Sequence, residues 1–224
     1  MTSQSEAIQS SSLAIGSSLS QVGIMGALKR SFDLVAALMG LLFLSPLLIV
    51  IAILIRADGG PALFGQRRVG RQGKSFRYFK FRSMVMDAEA RLENLLSSDP
   101  KARTEWDIYQ KLTIDPRITP IGRLLRKTSL DELPQLINVL TGEMSLVGPR
   151  PMLPAQKAAY GSALGSYMKV RPGITGHWQV NGRNTTTFER RAELDQWYVE
   201  NWSLRRDGWI LILTVREVFF AGGQ

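Results

Sequence analysis

LVAALMGLLFLSPLLIVIAILI, Leu34 to Ile55, is an uncharged apolar run of 22 residues, and its reading decides the architecture. As one helix it extends ~33 Å at ~1.5 Å per residue, enough to cross a bilayer's hydrocarbon. Basic residues flank it on both sides, with Lys29 and Arg30 before it and Arg56, Arg67, Arg68, Arg71 and Lys74 after it. The rule that keeps Lys and Arg on the cytoplasmic side therefore holds both ends on one side. Ser45-Pro46 stands at the midpoint, where proline removes an amide donor and crowds the preceding turn. Broken there, each arm is ~15–18 Å long, about half the hydrocarbon thickness. A re-entrant helix-break-helix hairpin over residues 29–56 satisfies all three observations. The plain alternative, common among apolar runs of this length, is a single-span helix.

Working outward, residues 1–28 hold eight serines, one acidic residue and no basic one. Such a composition buries too little surface to offset chain entropy and predicts a disordered, serine-rich tail. Residues 57–224 are long enough to bury a core and are expected to form one domain at the cytoplasmic face. The net charge of +9 calls for anionic partners: lipid headgroups, nucleotides, phosphates or nucleic acid. The absence of cysteine excludes disulfides, a thiol nucleophile and thiolate metal sites. The apolar run exceeds a signal-peptide core, and no small-residue cleavage pattern follows it. No internal repeat is present.

Ala62–Val69 and Lys74–Arg82 read as two short strands around a Gly70–Gly73 turn. Met86–Ser97 is helical by composition and is expected to stop at Asp99-Pro100, and Asp115-Pro116 is a turn. Thr119-Pro120 starts a helix, with threonine as N-cap and a buried stripe of Ile121, Leu124 and Leu125. Helices follow at Phe188–Val199 and Leu204–Phe220. The fold class is α/β, mostly helical with a small β element, and membrane-monotopic with interfacial helices. In Leu204–Phe220 the aromatic residues Trp209, Phe219 and Phe220 accompany Arg205, Arg206 and Arg216, the composition of a helix lying in the headgroup plane. Trp197, Tyr198 and Trp202 just before it suit the same interface. An ordinary core helix remains an equal alternative for Leu204–Phe220.

Several motifs carry less than they suggest. Gly70-Arg-Gln-Gly-Lys-Ser75 resembles a phosphate-binding loop, but the glycine required five residues before Gly73 is replaced by Arg68, which leaves a basic hairpin turn. No dinucleotide fingerprint follows a strand. His177 is the only histidine, so a histidine-rich metal site is excluded and a structural role beside Trp178 is expected. No nucleic-acid-binding signature is present, and an anchor in the membrane argues against that class.

The chemistry concentrates in Arg126-Lys-Thr-Ser-Leu-Asp-Glu-Leu-Pro-Gln135. Ser129 followed by Glu132 matches a capping box, although a helix start near Asp131 accommodates Pro134 better. Either register puts Asp131 and Glu132 in a first turn, where helix dipole and free amides favour negative charge. Adjacent carboxylates beside Arg126 and Lys127 suit a divalent cation and a diphosphate, because Mg²⁺ prefers carboxylate and phosphate oxygens. Helix capping alone explains the same window.

Motifs spread along the chain decide between those readings. Lys29-Arg-Ser-Phe-Asp33, Ser45-Pro46, Phe79-Lys-Phe-Arg-Ser-Met84, Asp115-Pro-Arg117, Arg126–Leu140, Gly142-Glu-Met-Ser-Leu-Val-Gly-Pro-Arg-Pro151 and Val170-Arg-Pro-Gly-Ile-Thr-Gly176 occur in that order. Together they resemble the bacterial sugar transferase family, the monotopic phosphoglycosyl transferases, from about Lys29 to Thr214. Trp178-Gln-Val-Asn-Gly-Arg-Asn184 is similar to the small exopolysaccharide-initiating enzymes that use UDP-galactose or UDP-glucose. Longer members carry additional N-terminal membrane helices, and the resemblance here is to the catalytic module.

The resemblance implies a two-step transfer at the cytoplasmic face of the bacterial inner membrane. Asp131 attacks the sugar-linked phosphate of a UDP-sugar, UMP leaves, and undecaprenyl phosphate then takes the phosphosugar from the aspartyl intermediate. Glu132 is implied as a Mg²⁺ ligand with Asp131 and as a proton acceptor. Lys80, Arg126, Arg150 and Arg171 are implied as substrate-binding cations. Asp207 matches a late carboxylate for which Asp195 competes, and a salt bridge explains either. UDP-sugar, undecaprenyl phosphate and the bilayer are the expected partners, with no nucleic acid; a homo-oligomer is left open. The competing class is a non-catalytic scaffold of a polysaccharide assembly complex.

Overall fold

The computed structural model describes the backbone of residues 2–109, 112–182 and 186–220, with side chains described for 23–107, 112–182 and 186–217. Helix α1 runs Thr2–Arg56. The backbone of the serine-rich stretch therefore extends this helix, where the sequence suggests a separate tail. No proline precedes Pro46, so nothing stops a helix nucleated in the apolar run from propagating toward the N-terminus.

The helical assignment also passes through Ser45-Pro46 without interruption, which corrects the expected break. The reason is local. Proline at 46 leaves the carbonyl of Leu42 without its helical donor, and the Ser45 hydroxyl donates to that carbonyl at 2.8 Å. The serine supplies the bond that the proline removes.

One face of α1 lies on the rest of the chain. Asp33, Ala37, Ile51 and Ile55 are buried, and Leu41 and Leu48 pack with them, a stripe at helical spacing. The opposite face exposes Phe32, Leu38, Leu42, Phe43, Ile49 and Ile53. Polar bonds fix both ends. Lys29 Nζ donates to Asp207 Oδ2 at 2.5 Å and to the Val147 carbonyl at 3.0 Å. Arg30 donates to the Val139 carbonyl at 2.8 Å. Asp33 accepts from Ser145 Oγ at 2.7 Å and from the Leu146 amide at 3.1 Å. At the far end, Arg82 Nη2 donates to the Ile55 carbonyl at 2.9 Å, and its guanidinium pairs with Asp58.

Strands β1 (Leu63–Val69) and β2 (Ser75–Phe81) form the expected antiparallel hairpin, with Phe64 opposite Lys80 and Val69 opposite Ser75. Gln72 and Gly73 take positive φ in its turn. Phe76, Tyr78 and Lys80 occupy one face of β2 by the two-residue repeat; Phe76 and Tyr78 join the core with Leu136 and Val139. Phe81, on the other face, packs against Ile51 and Ile55 of α1.

Helix α2 (Ala88–Ser98) ends as expected, but α3 (Pro100–Tyr109) follows at once. Asp99 Oδ1 accepts from the Lys101 amide at 2.8 Å, so Asp99-Pro100 is a helix start as well as a stop. Helix α4 (Pro120–Lys127) begins with Thr119 Oγ1 accepting from the Gly122 amide at 2.9 Å. Its buried face turns toward Gly122 and Leu125, leaving Leu124 exposed. A Cβ on Gly122 would lie 2.0 Å from the Ser83 carbonyl oxygen, and this close backbone approach rotates the helix away from the stripe that hydrophobicity alone suggests.

Beyond the short turn Leu130–Glu132 come α5 (Gln135–Leu140) and β3 (Ser145–Val147), then α6 (Leu164–Lys169) and β4 (Gly173–Thr175), which pairs in parallel with β3. Helix α7 (His177–Asn181) leads to α8 (Phe188–Glu200) and α9 (Leu204–Phe220). The small sheets in a mostly helical chain match the expected class. Tyr198 departs from the interfacial role suggested for it. It is buried, and its hydroxyl donates to Asp207 Oδ1 at 2.6 Å. Trp209, Ile212 and Val215 on α9 are exposed on one stripe, whereas Phe219 and Phe220 have side chains outside those described.

Candidate active site

The segment Arg126–Gln135 folds as two helical pieces with a tight turn between them. Ser129 adopts φ 57 with no side-chain cap bond, so the expected capping box does not form. Pro134 precedes α5, where a missing amide hydrogen is tolerated. The left-handed residue reverses the chain after α4 and points Asp131 and Glu132 at the hairpin, because their side chains are not spent on capping.

Lys80 Nζ lies 2.7 Å from Glu132 Oε1 and 3.4 Å from Asp131 Oδ2. Strand parity accounts for its position: Lys80 continues the inward row of Phe76 and Tyr78 and reaches the site at the end of β2. Arg150 closes the other side, with Nη2 2.8 Å from Glu132 Oε1 and Nη1 3.4 Å from Oε2. Arg126 donates Nε–H to Ser83 Oγ at 2.9 Å and stands close enough to Asp131 to interact electrostatically. Beneath them, Gln135 Nε2 donates to the Tyr78 hydroxyl at 2.7 Å.

The two carboxylates sit in opposed environments. Burial raises the Asp131 pKa above the ordinary carboxylate value; Lys80 pulls it down and the neighbouring Glu132 charge adds to the rise. Burial also pushes Glu132 up, but Arg150 and Lys80 outweigh it and hold Glu132 well below the usual range. Burial disfavours the Lys80 cation, yet Glu132 leaves its pKa raised. Glu132 is thus the counter-ion of two cations. Asp131 keeps only the long contact to Lys80 among the described residues, and its Oδ1 accepts no hydrogen bond there. An underused, buried carboxylate is more basic than a solvated one.

Asp131, Glu132, Lys80, Arg126 and Arg150 therefore converge. Arg171 and Asp207 do not join them. Arg171 Nε donates to the Gly142 carbonyl at 2.8 Å and lines a cavity of about 420 Å³ with Arg71, Lys74 and Glu143 at the hairpin turn. Asp207 is the anchor of α1, accepting from Lys29, Tyr198 and Trp202. Asp195 is closer to the chemistry in connection. It accepts from the Tyr160 hydroxyl at 2.7 Å and lies 3.6 Å from Arg191 Nε, and Arg191 Nη2 donates to the Arg150 carbonyl at 2.7 Å.

Arg68, Tyr78, Gln135, Tyr160 and Arg191 were not singled out from the sequence as residues of the site. Parity along Phe76–Lys80 could have found Tyr78. Arg191 gives no signal, since Arg191 and Asp195 four residues apart read as a surface ion pair on a helix. His177, expected beside Trp178, stacks on Trp197 with ring centroids 4.6 Å apart. Among the described residues no three acidic or histidine side chains gather as a metal cage.

The chain belongs to the bacterial sugar transferase family, whose sequence profile matches residues 24–221. It is 50% identical over 196 residues to the undecaprenyl-phosphate galactose phosphotransferase of Salmonella typhimurium, covering 88% of this chain and 41% of that relative. It is 45% identical over 202 residues to the exopolysaccharide production protein ExoY of Rhizobium meliloti, covering 90% and 89%. The UDP-glucose:undecaprenyl-phosphate glucose-1-phosphate transferase of Escherichia coli is 42% identical over 206 residues, covering 88% and 41%. The chain thus spans about two fifths of the Salmonella and Escherichia relatives and nearly all of the Rhizobium one.

Proposed function

We propose that this protein transfers hexose-1-phosphate from UDP-galactose or UDP-glucose to undecaprenyl phosphate, the first membrane step of exopolysaccharide assembly. The observation that carries the reading is Asp131, a buried carboxylate with a free oxygen, set among Lys80, Arg126 and Arg150 in a member of this family. The names of the relatives supply the substrate classes.

In the first half-reaction an Asp131 oxygen bonds to the sugar-linked phosphorus. The bond from that phosphorus to the bridging oxygen of the diphosphate breaks, and UMP leaves with the electron pair. In the second, a phosphate oxygen of undecaprenyl phosphate bonds to the same phosphorus and Asp131 is released. A carboxylate approaches a diphosphate only where the field is positive, which Lys80, Arg126 and Arg150 provide. Glu132 accepts a proton poorly while Lys80 and Arg150 hold it. Once those cations turn to substrate phosphates its proton affinity rises, and it can then take the proton of the incoming lipid phosphate. Asp131 and Glu132 offer two adjacent hard oxygen donors and would hold Mg²⁺ together with substrate phosphates. Bound there, Mg²⁺ would neutralise diphosphate charge.

Membrane attachment follows the same reading: the apolar part of α1 enters the bacterial inner membrane without crossing it, and both its ends lie at the cytoplasmic face. One compact domain holds Lys29 to Asp33 at one end of the apolar segment and Ile55 to Asp58 at the other. A spanning helix would separate those ends by ~30 Å of hydrocarbon and immerse the polar domain between them. The exposed stripe Trp209, Ile212 and Val215 on α9 suits the headgroup boundary.

Purified protein given UDP-galactose or UDP-glucose, Mg²⁺ and undecaprenyl phosphate should release UMP. Without the lipid it should release about one UMP per enzyme and carry the phosphosugar on the peptide containing Asp131. No UMP from any UDP-sugar would favour a scaffold. Cysteines replacing Met25 and Ala57, in this cysteine-free chain, should label from the same side of oriented vesicles; opposite accessibility would establish a spanning helix.

A further inference from the structure

We infer that Arg191, aided by Arg68 and Tyr167, is a positioning residue that holds the backbone of Arg150-Pro151-Met152 so that the Arg150 guanidinium meets Glu132. The inference rests on the reading of Arg150 as a substrate-binding cation, but it concerns residues that this reading does not use.

The geometry is continuous. Arg191 Nη2 donates to the Arg150 carbonyl at 2.7 Å, and Arg68 Nη1 donates to the Pro151 carbonyl at 3.1 Å. The Met152 amide donates to the Tyr167 hydroxyl at 3.2 Å, and that hydroxyl donates to the Val69 carbonyl at 2.6 Å. Side chains from α8, β1 and α6 thus hold three consecutive residues. Pro149 and Pro151 fix φ on either side of Arg150 and donate no amide hydrogen, so the stretch is held largely through its carbonyls. The Gly173 amide takes that of Pro149 at 2.8 Å and the Val69 amide that of Met152 at 3.0 Å, and the two guanidinium groups take those of Arg150 and Pro151 between them.

Arg191 is itself held. Asp195 lies 3.6 Å from its Nε, and its guanidinium carbon stands 4.8 Å from the Trp178 ring centroid, 5.3 Å from Phe188 and 5.8 Å from Tyr160. A planar cation stacked among rings has few rotamers left, which suits a part that sets another group's position. Arg68 is stacked likewise, 5.3 Å from the centroid of the Tyr78 ring, the ring beneath the catalytic pair. A cation whose purpose was only charge balance would meet its carboxylate more closely than 3.6 Å and would not spend its shortest bond on a carbonyl.

A double-mutant cycle separates positioning from general support. Arg191→Gln should lower the single-turnover rate of UMP release roughly 10- to 100-fold, the range for losing a charge-assisted hydrogen bond. In an Arg150→Ala background the same change should lower it less than about threefold, since the group it positions is gone. Arg191→Lys keeps the charge but loses the planar donor pair, and should fold with an intermediate loss. Hydrogen exchange gives a reading independent of turnover. Arg191→Gln should speed exchange in the peptide spanning 148–153 and leave the peptide spanning 130–140 unchanged. Equal fold losses in both backgrounds, or unchanged exchange at 148–153, would overturn the inference. If wild type releases no UMP, the proposed transfer fails while the exchange comparison still decides the positioning role.

Discussion

Asp131 and Asp207 are both buried, both near a lysine, and both on segments that resemble family motifs, yet the protein uses them in opposite ways. Asp207 is saturated: Tyr198 holds one oxygen at 2.6 Å, and Lys29 and Trp202 hold the other at 2.5 and 3.1 Å. Asp131 has one contact of 3.4 Å and a free oxygen. A carboxylate whose acceptor sites are filled fixes structure, here the start of the apolar helix. One that is largely buried, with an oxygen that accepts nothing from the described residues, keeps capacity for a ligand, as the proposed transfer requires of Asp131. The difference between site and scaffold lies in unused hydrogen-bonding capacity, not in burial.

That contrast can be broken most sharply at Asp131. Asp131→Asn preserves size, so the fold should hold, while UMP release per folded protein should fall by about 10³-fold or more, the scale for removing a covalent nucleophile. Normal turnover in this variant would leave direct transfer between the two substrates as the better mechanism. Asp207→Asn should do the reverse. Removing one partner of a buried pair destabilises by about 3 kcal/mol, visible as a lower unfolding temperature in detergent, with turnover per folded molecule near that of wild type. Loss of turnover without loss of stability would return Asp207 to the site.

Lys80→Met tests whether the cation serves the carboxylates. Turnover should fall about 10²-fold, as for loss of one electrostatic donor. Because Lys80 pulls the Asp131 pKa down, its removal should also move the acid limb of the pH–rate profile to higher pH. A limb that stays in place would mean that the lysine acts on substrate alone.

Asp195 lies between the two extremes and predicts the smallest effect. Burial pushes its pKa up to about 6, against the opposing pull of Arg191. With the folded value above the unfolded one, its contribution to stability is complete below about pH 4 and is lost as pH rises through 6, because the unfolded chain releases the proton first. The loss should be on the order of 2 kcal/mol. Unfolding temperatures of wild type and Asp195→Asn, compared between pH 4 and 7, should diverge by that amount and in that direction. Parallel curves would show that Arg191 already compensates the charge.

How much of this was legible follows from the range of each interaction. Thr119-Pro120 announced α4 and the Gly70–Gly73 turn announced the hairpin, because caps and turns are settled within a few residues. Asp99-Pro100 was only half read, since the same pair that ends α2 also starts α3. Leu124 was misjudged because the face of α4 is chosen by Gly122 meeting the Ser83 backbone, a contact that hydrophobicity does not encode. Within the site, Asp131, Glu132, Lys80, Arg126 and Arg150 were marked by motif. Ser129 was misread as a cap because serine three residues before a glutamate fits a capping box locally, whereas its φ of 57 follows from how the chain turns between α4 and α5.

The sequence by itself determined the family, and it marked the long apolar segment and the adjacent carboxylates Asp131 and Glu132. Local chemistry suffices for an uncharged run with a central proline between basic flanks, and for long motifs in fixed order. Tertiary structure decided which carboxylate is free and which is filled, that Arg171 and Asp207 lie apart from Asp131, and that Arg191 reaches the Arg150 carbonyl. Those outcomes depend on which donors from distant segments arrive within about 3 Å of a given oxygen. A chain fixes the identity of its donors and acceptors residue by residue, whereas packing alone fixes who meets whom.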